Sequence, residues 1–141
     1  MKNQWQFRHL GFIVRDLDKT IAYYQTLGGQ TEGKEWTMPA KLGTGKVRAQ
    51  FLTLGSMRLE LFQPFGGPGL QQKFLDEHGE GIQHYAFTVK DIDQETAALV
   101  KDGFKKLFDV STTTGVRATY FDTGKVGDIL TELVQEAPPR V

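Results

Sequence analysis

The sequence predicts an α+β fold: two tandem βαβββ modules forming a curved, mostly antiparallel sheet around a shared cleft. Three observations predict it. The segment from His9, HLGFIVRDLDKTIAYYQTLG, returns from His84 as HYAFTVKDIDQETAALVKDG. At that offset of 75 residues His9/His84, Phe12/Phe87, Val14/Val89, Asp16/Asp91, Asp18/Asp93, Ala22/Ala97 and Gly28/Gly103 are identical. Each half then runs through the same periods, one strand, one helix and three further strands. Each half also closes on an apolar run with a glutamate at its middle, RLELF carrying Glu60 and LTELV carrying Glu132. A unit this long, present only twice, is a fused pair and not a solenoid.

Residues 7–14 (FRHLGFIV) read as an apolar strand. Asp16 or Asp18 can cap the helix that follows over about 17–27, which turns Ile21, Tyr24 and Leu27 to the sheet and stops at Gly28. A strand over about 30–36 precedes a loop over 37–46 that holds Pro39, Gly43 and Gly45. VRAQFLTLGSMRLELF reads as a hairpin turned at Gly55-Ser56. PFGGPG, at 64–69, is a connector, and 70–78 a short helix. The second half gives a strand over 82–89, a helix over 91–102 stopped at Gly103, and strands over 104–110, 116–122 and 128–135. The chain thus divides as one domain, 1–141: module 1 about 5–64, connector and short helix about 65–80, module 2 about 81–136, and a tail 137–141, APPRV, expected to fray.

The 141 residues suffice for one domain with a real core. Lys+Arg and Asp+Glu are 17 each, so no net charge favours nucleic acid or anionic lipid. The lack of cysteine removes disulfides, thiolate nucleophiles and zinc–cysteine sites and suits a cytoplasmic protein. MKNQWQFRHL has no signal-peptide apolar region, and no stretch approaches the ~20 apolar residues of a membrane span.

Strand side chains alternate between faces. In RLELF, Glu60 therefore shares a face with Arg58 and Phe62, while Leu59 and Leu61 take the other. In DILTELV, Glu132 goes with Asp128, Leu130 and Val134. A carboxylate on a half-apolar concave face costs free energy unless a metal or a donor satisfies it. One strand histidine is ordinarily structural. Two His–Glu pairs related by a repeat predict a divalent-metal site: His9, Glu60, His84 and Glu132. Imidazole and carboxylate suit Co, Ni, Zn, Mn or Fe, and four such ligands leave room for substrate oxygen. Arg58 and Arg117 are possible anchors for an acidic substrate or plain exposed strand arginines. His78 reads as a helix-end residue. The glycines of FGGPG read better as a connector than as an anion cradle. Trp36, Tyr85, Phe87 and Phe121 read as core or pocket lining.

HLGFIVRDLDKTIAYYQTLG, FLDEHGEGIQHYAFTVKDID and ILTELVQ together resemble the vicinal oxygen chelate superfamily, which includes glyoxalase I, methylmalonyl-CoA epimerase, extradiol dioxygenases and bleomycin-resistance proteins. The resemblance runs over about residues 7–136, and HGEGIQHYAF looks most like the epimerase branch and its uncharacterised "lactoylglutathione lyase and related" neighbours. It implies paired βαβββ modules, a divalent ion on His9, Glu60, His84 and Glu132, and a homodimer. Two departures stand out. Ala49 occupies the place where some epimerases carry a second catalytic glutamate, with Gln50 adjacent. Gly127-Asp128 stands where the ending usually has Gly-Gly, so Asp128 is either a turn residue, the favoured reading, or a side chain pointing to the cleft.

The resemblance implies proton abstraction next to a carbonyl, with Glu132 as ligand and base, Glu60 as its symmetric partner, and an acyl-CoA or small carbonyl acid as substrate. Three rivals share the scaffold. A glyoxalase I needs a glutathione pocket, and an Fe(II) dioxygenase needs two His and one carboxylate, which Glu60 crowds. A drug- or metabolite-binding protein would ordinarily lack the four ligands.

Overall fold

A computed structural model describes residues 4–139. Along them run β1 (Gln6–Ile13), α1 (Leu17–Thr26), β2 (Gln30–Pro39), β3 (Lys46–Leu54), β4 (Met57–Phe65), α2 (Leu70–His78), β5 (Gly81–Thr88), α3 (Ile92–Lys101), β6 (Lys105–Ser111), β7 (Arg117–Asp122) and β8 (Leu130–Gln135). The α+β class and the doubled βαβββ order are as the sequence predicts. Two compact units emerge. One is His9–Gln83; the other joins the described residues up to Arg8 with those from His84 onward.

In the His9–Gln83 unit the strands lie in the order β2-β3-β4-β1. β2, β3 and β4 are antiparallel, and Leu54 faces Met57 across the Gly55-Ser56 turn. β1 lies parallel to β4, with Gly11 opposite Glu60. The other unit repeats this as β5-β8-β7-β6, with β5 parallel to β8 and Ala86 opposite Glu132.

The repeated residues explain much of this local structure. The Asp16 side chain accepts the Lys19 N–H at 3.0 Å, and Asp91 accepts the Gln94 N–H at 3.0 Å. Each carboxylate satisfies an N–H that the first helical turn leaves without an intrahelical partner. Asp18 and Asp93 ion-pair with strand arginines, Arg48 at 3.0 Å and Arg117 at 2.7 Å. Gly28 and Gly103 take φ of +94° and +92° where α1 and α3 end, a conformation that penalises any Cβ. Replacing Asp16 or Asp91 with alanine is expected to lower stability by about 1 kcal/mol in urea unfolding.

The strands of each unit bury apolar side chains on both faces. In the first unit Leu52, Leu59 and Leu61 pack with Val14 and with Leu17 of α1. On the opposite face Ile13, Val47, Ala49 and Phe62 pack under Leu75 of α2. In the second, Phe121 and Leu133 pack with Ile92 and Leu99 of α3, joined by Trp5, whose indole donates to Glu95 at 3.1 Å. Ala86, Ala118 and Val134 take the other face. Phe121 is 0% exposed, so Phe121→Ala is expected to cost about 3–5 kcal/mol, read as a lower urea midpoint at an unchanged slope.

Three sequence expectations need correction. Leu27 is 57% exposed, because α1 ends before it and the chain leaves the helical path that would turn it inward. The second strand runs on to Pro39, paired with Lys46, which confines the loop to residues 40–45. A proline fits there because it ends an edge strand. The last strand begins at Leu130 and leaves Asp128 in a turn. Ala137 to Pro139 form no regular element, and Arg140 and Val141 of the expected tail lie outside the described residues. Among the described residues no helix is long and apolar enough to cross a membrane.

Candidate functional site

β1 and β4 position the first pair of candidate ligands. The parallel register sets Gly11 opposite Glu60, and His9 lies two residues back on the same face. His9 Nε2 stands 3.0 Å from Glu60 Oε1, with His9 1% exposed and Glu60 9%. Across β3, Phe51 is the direct partner of Glu60, and its ring meets the His9 ring edge-on at 5.4 Å. Trp36 backs Phe51 at 5.3 Å, and the Arg58 guanidinium lies 3.8 Å above the Phe51 ring.

The second pair is built alike. β5 and β8 place His84 Nε2 3.5 Å from Glu132 Oε1, with His84 0% exposed and Glu132 7%. Tyr120 on β7 is the partner of Glu132, and its ring meets His84 edge-on at 5.2 Å. Phe108, the register partner of Tyr120 on β6, stacks on it at 4.6 Å. An imidazole nitrogen and a carboxylate oxygen this close, out of water, share a proton or flank a cation. All four side chains are buried histidines and glutamates, of the types that can hold a metal ion, and the described residues offer no thiolate to compete.

The other residues singled out from sequence fall mostly into supporting roles. Arg58 is held by Glu32 at 2.8 Å, on the Glu60 face. Arg117 turns to the opposite face, toward Asp93, so it does not anchor a substrate beside Glu132. Its counterpart Arg48 donates to Glu35 and Asp18; that hydrogen bond keeps the Glu35 carboxyl below its ordinary range, against a smaller opposing effect of burial. His78 ends α2, exposed, beside Phe74. Asp128 is an exposed turn residue with φ of +55°. The connector packs against the 40–45 loop: the Gly45 N–H donates to Pro68 O at 2.8 Å, and a Cβ on Gly69 would lie 2.5 Å from the Ala40 Cβ. Ala49 is 0% exposed and faces Phe62 across β3–β4, so the Glu60 face carries no carboxylate at that position.

Sequence reasoning missed one repeated pair. Gln63 Oε1 accepts the Leu17 N–H at 2.8 Å, and Gln135 Oε1 accepts the Ile92 N–H at 2.9 Å. Each ties the first turn of a helix to the strand bearing the glutamate. The signal was present in ELFQ and ELVQ, where each glutamine follows its glutamate by three residues. It also missed Phe51 and Tyr120, whose roles come from cross-strand register alone.

The model of the Glyoxalase/Bleomycin resistance protein/Dioxygenase superfamily matches residues 8–121. The uncharacterized protein YqjC of Bacillus subtilis is 26% identical over 91 residues, which span 64% of this chain and 62% of that protein. The mitochondrial methylmalonyl-CoA epimerase of Bos taurus is 25% identical over 138 residues, 94% of this chain and 75% of the relative. Among solved structures, methylmalonyl-CoA epimerase from Mycobacterium tuberculosis superposes with a TM-score of 0.78 at 28% identity, covering 94% of this chain and 89% of that one.

Proposed function

Because the chain belongs to the Glyoxalase/Bleomycin resistance protein/Dioxygenase superfamily, we propose that it is a divalent-metal-dependent epimerase or isomerase that moves a proton next to a carbonyl, with methylmalonyl-CoA or a related acyl-CoA as substrate. One observation carries the reading. Two buried His–Glu pairs, at 3.0 Å and 3.5 Å, occupy equivalent places in a duplicated module. The epimerase relatives, at 25% and 28% identity, support the reaction class.

In this reading His9, Glu60, His84 and Glu132 together hold one cation, Co, Ni, Zn, Mn or Fe, and the protein is a homodimer. The cation would supply Lewis-acid stabilisation of negative charge developing on the carbonyl oxygen. Glu132 Oε takes the α-proton. Epimerisation also needs a proton returned to the opposite face of the carbon, and Ala49 offers no acid for it. Glu60 takes that role: it starts the turnover protonated, donates that proton to the opposite face, and the two glutamates end with their protonation states exchanged. The histidine rings are held by edge contacts with Phe51 and Tyr120.

Purified protein with Co²⁺ should exchange the α-proton of methylmalonyl-CoA with D₂O and interconvert its epimers. Turnover of the methylglyoxal–glutathione adduct, with none of methylmalonyl-CoA, would replace this reading with a glyoxalase. In Glu60→Gln, exchange from one epimer should persist while interconversion falls by about 10²-fold or more. Equal loss of both would remove the two-face assignment.

A further inference from the structure

On α2, Gln71 is 5% exposed, and its side-chain Oε1 is buried without a hydrogen-bond partner among the described residues. A buried acceptor left unmatched is costly, and a native fold retains few. Its setting gives it a direction. Helical spacing puts Gln71 on one stripe with Phe74 and Leu75. Those two pack against Ile13, Val47, Ala49 and Phe62. Ala49 and Phe62 are a cross-strand pair, adjacent on their face to the pair Phe51 and Glu60. Gln71 therefore lies on the helix stripe that packs on the sheet face carrying His9 and Glu60. A leucine or methionine would fill such a position without the penalty.

We propose that Gln71 is a specificity residue whose Oε1 accepts a hydrogen bond from an N–H of the substrate's thioester arm. This rests on the acyl-CoA reading above. A pantetheine arm carries secondary amides with the required donor, and a simple thioester carries none.

The test compares wild type with Gln71→Leu and Gln71→Met. Each is assayed on methylmalonyl-CoA and on the S-ethyl thioester of methylmalonate, and the thermal midpoint is taken without substrate. The expected result has three parts. The midpoint rises by a few degrees, because an unmatched acceptor leaves the interior. KM for methylmalonyl-CoA rises about tenfold with kcat little changed, the size expected for one lost hydrogen bond. Kinetics on the S-ethyl thioester stay as in wild type. A lower midpoint in both variants would make Gln71 a structural residue and overturn the proposal. So would an equal change on both substrates, which marks altered packing, or no change on either. If wild type turns over neither substrate, the acyl-CoA reading itself falls and takes this proposal with it; an active wild type with indifferent variants sinks the Gln71 role alone.

Discussion

Glu132→Gln is expected to lower α-proton exchange from the epimer whose proton faces Glu132 by about 10²–10⁴-fold, the range that a positioned general base contributes, while exchange from the other epimer persists through Glu60. Hydrogen–deuterium exchange into methylmalonyl-CoA, followed by mass spectrometry, measures it. The substitution keeps the shape and removes the basic oxygen from a side chain that is 7% exposed and 3.5 Å from His84 Nε2. Loss of charge also weakens any cation site, so exchange has to be measured at saturating Co²⁺, with metal content determined on the same sample. A variant that holds metal and loses exchange from one epimer alone identifies Glu132 as the base on that face. A variant that holds metal and exchanges at the wild-type rate removes that role, and the proton must then leave through another group. Glu60→Gln is the internal control, since it alters the equivalent carboxylate in the other repeat.

The fold was legible because the duplication is dense in residues with fixed local jobs. Asp16 and Asp91 cap helices, and Gly28 and Gly103 take positive φ. Such roles depend on a few neighbouring residues, so sequence carries them directly. The pairing of His9 with Glu60, and of His84 with Glu132, was legible for another reason. A charged residue in an otherwise apolar strand run draws attention by its burial cost. What escaped was set by register and distant packing. Phe51 and Tyr120 became partners of the glutamates only once β3 and β7 had paired with β4 and β8. Arg117 read either as a substrate anchor or as an exposed strand arginine, and its bond to Asp93 on the α3 face decides for the second. Leu27 fitted a helical stripe, but α1 stops at Thr26. Gln71 is a polar residue on a short helix, and only the packing of Leu75 shows that its stripe is buried.

Removal of metal is expected to have the second large effect, and its stoichiometry tests whether the two pairs act as one site. Protein treated with EDTA and returned to Co²⁺ should gain thermal stability, by about 2.7 kcal/mol at a free concentration 100 times Kd. His9→Ala and His84→Ala should each abolish that gain. Both imidazoles are buried, at 1% and 0% exposure, so each substitution also leaves a cavity that lowers the metal-free midpoint. The informative quantity is therefore each variant's shift with Co²⁺ relative to its own metal-free midpoint. A single shared cation predicts one metal per chain in wild type and close to none in either variant. Independent His–Glu sites predict two per chain, with each variant losing one and keeping part of its thermal gain. The second pattern would separate the pairs, and a base at Glu132 would then act with help from His84 alone.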